Sequence, residues 1–397
     1  MAVAALTLAF AALETGGYVA LRLTPQSYEP FRDLAWMRGA FHPLFTVRGQ
    51  ETYVFWPYVG NFFRPTWRTA PAGLPRPFPE AYVYQDLWGQ LTPLAKPKGE
   101  LRVFVLGGST MMGQGATWAA ATVPSRLEYW LRRRQPPGSP WTIRVVNAGV
   151  GGYTSTQEQV LITTRLLAYA PDAFLVCDGY NDFMELWSAP NLPPFWGSYS
   201  KHLYEGFNRM QSLRGLLGQL GFLASTRLYC LALPRVLLRE QRRRQDGGGA
   251  APGAALRDSA LAHMERAVWV YTLNMRSMVG VSGGHHIPLI MALQPTLAYG
   301  KPPSERERGL LAAHEAAGNA GWLPAIVSYY GRMRAAYREA AREFPGRVLD
   351  ESELFKAERA TLYGDHCHYN DAGNDKFARR LAAPVYAALK QRVGKGL

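Results

Sequence analysis

The chain has 397 residues, 48% of them hydrophobic, and carries 44 Lys and Arg against 30 Asp and Glu for a net charge of +14. This is the composition of a globular protein with a sizeable core, long enough for one large domain with insertions or two modest ones. Three cysteines, Cys177, Cys230 and Cys367, exclude a disulfide framework, and the lack of any nucleic-acid motif or basic-aromatic array excludes nucleic acid as a partner. The positive charge favours anionic surroundings such as lipid headgroups or acidic polymers.

In chain order, the first stretch, MAVAALTLAFAALETGGYVALRL, is mostly apolar and long enough to span a bilayer, although Glu14 and Gly16-Gly17 interrupt it. It lacks the positive n-region of a secretory signal and a clean small-x-small cleavage site. An uncleaved membrane anchor over residues 1–23 is therefore expected, with a buried helix as the alternative. Residues 24–100 are rich in Pro and aromatics, among them Trp36, Phe55, Trp56, Phe62, Phe63, Trp67, Tyr82, Tyr84 and Trp88, with little periodicity. They read as an irregular segment with short strands that wraps the main domain or leads to it.

From Leu101 the pattern becomes regular, and a main domain over 101–392 is expected. Residues 101–106 are a buried parallel strand, followed by a glycine turn and a helix near 122–134. Strands at 141–149 and 172–177 flank a helical stretch at 155–169, and the alternation predicts a parallel sheet covered on both faces. Polar and glycine residues cluster at the carboxyl ends of all three strands, the edge where such sheets bind ligands. A helical cap insertion is expected at about 190–284. Its stretch 201–245 holds nine basic residues against Glu205 and Glu240, about half of the chain's excess charge, and suits an anionic membrane surface or a solvated arginine face. Residues 245–255, QDGGGAAPGAA, read as a flexible loop. Helices are predicted at 259–279, 304–318 and 323–343, and strands at 285–295 and 347–350. A closing helix starts at Asp371 and is interrupted or kinked at Pro384.

The chemistry centres on VFVLGGSTMMGQG, Val103 to Gly115. Gly113 is followed by Gln114 and Gly115 rather than Lys and Ser/Thr, so this is no phosphate-binding P-loop. Neither this turn nor Gly149–Gly152 fits a dinucleotide fingerprint, and Met111 stands where the G-x-S-x-G elbow needs its last glycine. A strand that breaks at Gly107-Gly108 and delivers Ser109 before a helix is a good position for a nucleophile. Such a serine needs a base, an orienting acid and oxyanion donors. Asp365 and His368 in YGDHCHYNDAG lie three residues apart, so one turn of chain can join carboxylate and imidazole. NAGVGG at 147–152 offers a backbone N–H, and Asn181 in GYND a side-chain amide. His366 rivals His368 as the base. Asp-His-Cys-His, with His285-His286, is a rival metal cluster, and Cys367 a rival nucleophile. Asp182 orients Asn181 or the turn, while Asp178, Glu185 and Asp350 read as caps or solvated groups.

Taken together, these blocks resemble the SGNH/GDSL hydrolase family. GGST at 107–110 matches its first block, NAGVGG at 147–152 its second, Gly179, Tyr180, Asn181 and Asp182 its third, and Asp365 with His368, Asn370 and Gly373 its fifth. The resemblance covers about 101–190 and 285–390; it departs at Gly108, where many members carry Asp. It implies a flavodoxin-like three-layer α/β/α sandwich with a five-stranded parallel sheet. It also implies a serine esterase with catalytic Ser109, Asp365 and His368 and an oxyanion hole from Ser109, Gly152 and Asn181, with no metal and no cofactor. The expected substrate is a carboxylic ester, on an acylated glycan or a lipid. An O-acyltransferase acting on an envelope polysaccharide with the same triad, or a non-catalytic glycan- or membrane-binding module, is the alternative. The anchor would hold the catalytic domain at a membrane, in the periplasm or outside the cell, although Arg22, Arg32 and Arg38 after the segment run against that orientation.

Overall fold

A computed structural model describes residues 91–188, 252–316 and 319–394, the short strands at 53–56, 60–63 and 83–85, and residues 12, 13 and 15. The chain divides into two compact units, 1–41 with 200–251 and 42–199 with 252–397. The first holds, among the described residues, only the helical positions Ala12, Leu13 and Thr15. The anchor expected over 1–23 and the basic stretch 201–245 lie otherwise outside the described residues, among which no helix is long and apolar enough to cross a membrane.

The second unit opens with two antiparallel pairs, β1 (Tyr53–Trp56) with β2 (Gly60–Phe63) and β3 (Val83–Gln85) with β4 (Leu91–Pro93). Five strands then build one parallel sheet: β5 (Glu100–Gly107), β6 (Thr142–Asn147), β7 (Ala173–Asp178), β8 (Leu289–Leu293) and β9 (Val348–Asp350), in the spatial order β6-β5-β7-β8-β9. The strand that comes first in the sequence of this sheet lies inside it, between the second and the third. The chain therefore leaves β5 toward one edge and returns to build toward the other, and the crevice at that reversal is where open α/β sheets take their ligands.

The alternation in β5 explains the layers. Leu101, Val103 and Val105 pack into one apolar cluster and Phe104 and Leu106 into another, so both faces of the strand are covered. On the first face lie α2 (Val123–Arg132), through Leu127 and Leu131, and the closing helix, through Phe377, Leu381 and Val385. On the other lie α3 (Ser155–Thr164), α4 (Tyr180–Ser188), α5 (Pro252–Gly284) and, beyond α6 (Glu305–Ala316), α7 (Trp322–Glu343). A short helical turn, α1 (Ser109–Met112), follows β5 directly, and α8 (Asp371–Gly394) closes the chain. This is a three-layer α/β/α sandwich.

Local chemistry sets the helix starts. Thr122 caps α2 by accepting from the N–H of Ser125 at 3.4 Å, and Pro124 sits in its first turn, where a missing N–H costs nothing. At α3 the side chain of Gln157 reaches back to the N–H of Thr154 at 2.9 Å. At the amino ends of the strands, the fully buried Arg102 donates to the carbonyls of Pro93 and Tyr169 at 3.0 and 2.7 Å, and buried Asp172 accepts from Lys96 and from the N–H of Arg102. These bonds fasten the end of the aromatic-rich segment to the sheet.

Three sequence expectations change. Of the flexible loop expected at 245–255, residues from Pro252 onward are helical, and 245–251 lie outside the described residues. The helix that follows is no cap: Met264, Tyr271, Met275 and Met278 of α5 are fully buried in the core, so α5 is the crossover helix between β7 and β8. Of the interruption or kink expected at Pro384, the interruption is absent: the closing helix runs through the proline to Gly394. A proline inside a helix costs about 3 kcal/mol, and here Leu381, Ala382, Val385 and Leu389 bury around it, enough apolar surface to offset that loss.

Candidate active site

The carboxyl ends of β5, β6 and β7 and the loop before α8 converge at the sheet's reversal point. At the end of β5, Gly107 has φ +150, and a Cβ there would lie 2.4 Å from the carbonyl oxygen of Cys177, so only glycine lets the chain turn off the strand. Gly108 has an ordinary φ of −78, yet a Cβ on it would lie 2.0 Å from Nδ2 of Asn181. Here glycine is required for space, not conformation. Ser109 then opens α1, where a backbone N–H has no intrahelical acceptor.

The base arrives on a tight loop closed by the Tyr363–Tyr369 bridge, with the N–H of Gly364 donating to the carbonyl of His368 at 2.9 Å. The Tyr369 hydroxyl ties this loop to the carbonyl of Pro295 at 2.7 Å. Gly115, after α1, fits against it so closely that a Cβ would sit 2.3 Å from the Tyr369 carbonyl oxygen. The result is a continuous hydrogen-bonded chain: Ser109 Oγ to His368 Nε2 at 2.7 Å, and His368 Nδ1 to Asp365 Oδ2 at 2.6 Å. The other oxygen of Asp365 accepts the N–H groups of Cys367 and His368 at 2.9 and 2.8 Å, which fixes the carboxylate in the turn that carries the imidazole. Burial by itself would raise the Asp365 pKa, but the His368 and His366 rings and the Cys367 N–H hold it well below the usual carboxylate range, so it stays ionised.

Asn181 donates one amide hydrogen to the carbonyl of Tyr153 at 2.8 Å, which leaves its second hydrogen for another acceptor. Gly152, with φ +79, lies in the turn closed by the Tyr153 N–H on the Val150 carbonyl at 3.1 Å, next to the residue that holds Asn181. The structure thus brings Ser109, His368 and Asp365 into contact, sets Asn181 against the serine turn, and places Gly152 on the adjoining loop.

The rivals separate. His366 stacks on His314 at 4.1 Å between ring centroids, with Trp322 at 5.6 Å and Tyr180 at 5.7 Å; burial lowers its pKa to about 4, and it makes no bond to Ser109. Cys367 Sγ is 3.5 and 3.7 Å from the two nitrogens of the His368 ring. A sulfur nearly equidistant from both lies over the ring face, because an in-plane position would collide with the carbon between them. It therefore does not point along a nitrogen lone pair, as a shared metal ion would need. The Cys367 thiol is buried, which pushes its pKa up. His285 and His286 precede β8 at the opposite, amino edge of the sheet. Of the acids read as caps or solvated groups, Asp178 and Glu185 are in fact buried, whereas Asp350 pairs with Arg334 at 2.8 Å.

One positioning residue has no sequence signal at all. Glu307, fully buried, accepts the N–H groups of Leu362 and Tyr363 at 2.9 and 3.2 Å and pairs with Lys301 at 2.5 Å, so it anchors the entry to the Asp365–His368 turn. Glu307→Ala leaves Lys301 buried and unpaired and is expected to lower unfolding stability by about 3–5 kcal/mol in urea titration; a loss under about 1 kcal/mol would show that the anchor is not needed.

No family model and no curated protein sequence matches the chain. Among solved structures it is similar to a protein of the G-D-S-L lipolytic family from Desulfitobacterium hafniense DCB-2, with 13% identity over 72% of this chain and 98% of that one and a TM-score of 0.37. It is similar to an acetylxylan esterase from Geobacillus stearothermophilus, with 15% identity over 72% and 94% of the two chains and a TM-score of 0.37. A two-domain esterase active on acetylated mannans matches at 13% identity over 74% of this chain and 50% of its own, with a TM-score of 0.36.

Proposed function

We propose that the protein is a serine esterase that hydrolyses a carboxylic ester through an acyl-enzyme. The observation that carries this reading is the unbroken Ser109–His368–Asp365 chain, with links of 2.7 and 2.6 Å, standing at the sheet's reversal point. His368 Nε2 takes the Ser109 proton as Oγ attacks the ester carbonyl carbon. Ionised Asp365 holds the proton on Nδ1 and stabilises the imidazolium that forms. The N–H groups of Ser109 and Gly152 and the second amide hydrogen of Asn181 stabilise the tetrahedral oxyanion. The C–O bond then breaks, the alcohol leaves with the proton returned by His368, and a water activated by the same imidazole releases the acid. Every proton moves through one ring, and no other group is required.

Hydrolysis of a p-nitrophenyl ester series from acetate to decanoate tests this, together with labelling by a fluorophosphonate. Turnover with stoichiometric labelling at Ser109 is the expected result, and the chain-length optimum defines the acyl group. Labelling without hydrolysis would favour an acyltransferase that needs its acceptor alcohol. Absence of both would leave a binding module.

A further inference from the structure

Behind the Asn181 turn lies a group of acids that the reaction as described does not use. Glu158 on α3, Asp178 at the end of β7, and Asp182 and Glu185 on α4 are all buried, Glu158 with no exposed surface. Both oxygens of Glu158 and Oδ2 of Asp178 lack any donor, and the two carboxyls abut. Among the described residues, the groups that face Glu158, Asp178 and Asp182 are neutral or acidic: Ser155 of α3, Cys177 of β7, Tyr271 and Asn274 of α5, and Tyr329 and Tyr337 of α7. Among the described residues no Lys, Arg or His bonds to Glu158, Asp178 or Asp182.

Two adjoining carboxylates without a counter-ion cannot both remain ionised inside a protein. One proton joins the two acids and satisfies Asp178 Oδ2 and one of the two Glu158 oxygens. Asp178 Oδ1 already accepts the Tyr271 hydroxyl, which in turn meets Tyr337 at 2.5 Å, so a proton on Glu158 completes an O–H···O bond to Asp178 Oδ2. Burial and the neighbouring Asp178 raise Glu158 well above its ordinary range, in agreement with this placement.

The consequence is mechanical. Asp178 and Asp182 bracket Gly179, Tyr180 and Asn181. Ser155, the first residue of α3, donates to Asp182 through its hydroxyl at 2.7 Å and its N–H at 3.2 Å, and Asn274 donates to that same hydroxyl oxygen at 2.9 Å. Helix α3 therefore grips both ends of the turn, through Ser155 at one and Glu158 at the other. We propose that Glu158 is a positioning residue, held as a neutral acid, whose proton clamps the turn that aims Asn181 and whose loss sets the alkaline limit of the reaction. The proposal rests on the esterase reading of Ser109 and Asn181.

The test is the pH dependence of kcat and KM on p-nitrophenyl acetate, with thermal melting at pH 5 and 9, for the chain and for Glu158→Gln and Glu158→Ala. Glutamine donates at every pH, so Glu158→Gln should move the alkaline midpoint of kcat upward by at least about one unit and raise Tm more at pH 9 than at pH 5. Glu158→Ala should lower kcat about ten-fold or more at pH 7, with KM within about two-fold. An alkaline limb that does not move in Glu158→Gln overturns the proposal, as does a change carried by KM. If Glu158→Ala fails to fold, the glutamine variant decides. An unsubstituted chain with neither turnover nor Ser109 labelling would instead sink the esterase reading. The Tm comparison then decides the proton alone, and equal shifts at the two pH values would overturn it.

Discussion

Ser109→Ala is expected to abolish ester turnover, with a fall in kcat on the order of 10⁴ to 10⁶, and His368→Ala to match it within about ten-fold. The two losses should be nearly equal because neither group acts without the other: the hydroxyl needs Nε2 at 2.7 Å to leave its proton, and the imidazole's other close neighbour, the Cys367 thiol, lies over the ring face with its pKa pushed up by burial. The double variant should therefore be no slower than either single one. Melting temperatures should stay close to that of the parent chain, since Ser109 is only half-buried and its removal leaves no cavity in the core. Asp365→Asn should cost about 10⁴ for a different reason. Its amide can still meet the ring, but it no longer favours the tautomer with the proton on Nδ1. If the single losses of Ser109 and His368 differed by orders of magnitude and multiplied in the double variant, the chain of bonds would not be the reacting unit.

Gly108→Ala is the second large effect, and it arises one residue away from the nucleophile. The new methyl would stand 2.0 Å from Nδ2 of Asn181, far inside van der Waals contact, so either the amide or the serine turn has to move. Losing one aimed oxyanion donor costs roughly 10² to 10³ in kcat. The backbone itself is unstrained by the change, because φ is −78, so the fold should persist with a small loss in Tm. Asn181→Ala should reduce kcat by a similar factor. If Gly108 acts through that amide, the two changes will not multiply, and the double variant will be close to Asn181→Ala alone. Multiplicative losses would mean that Gly108 serves the serine turn directly.

The residue order alone carried the alternation of buried strands and amphipathic helices, and with it the three-layer sandwich, because a strand covered on both faces is apolar at most positions, as β5 is from Val103 to Leu106. It also marked Ser109, Asn181, Asp365 and His368, since each sits in a short block whose residue types have few other uses. Spacing could not choose between His366 and His368. The family resemblance favoured His368, and the loop geometry sets its ring against Ser109 while stacking that of His366 on His314. Nor could periodicity separate a cap from a crossover helix in α5, because the distinction lies in which partners cover Tyr271 and Met275, not in their spacing. Glu307, Glu158 and the spatial need for Gly108 were illegible for the same reason. A buried carboxyl or an absent side chain acquires its meaning from atoms tens of residues away, such as the Leu362 N–H, the Asp178 carboxyl and the Asn181 amide. Short-range pattern determined which groups the chain owns; the close packing of distant loops at the sheet's reversal point decided which of them meet.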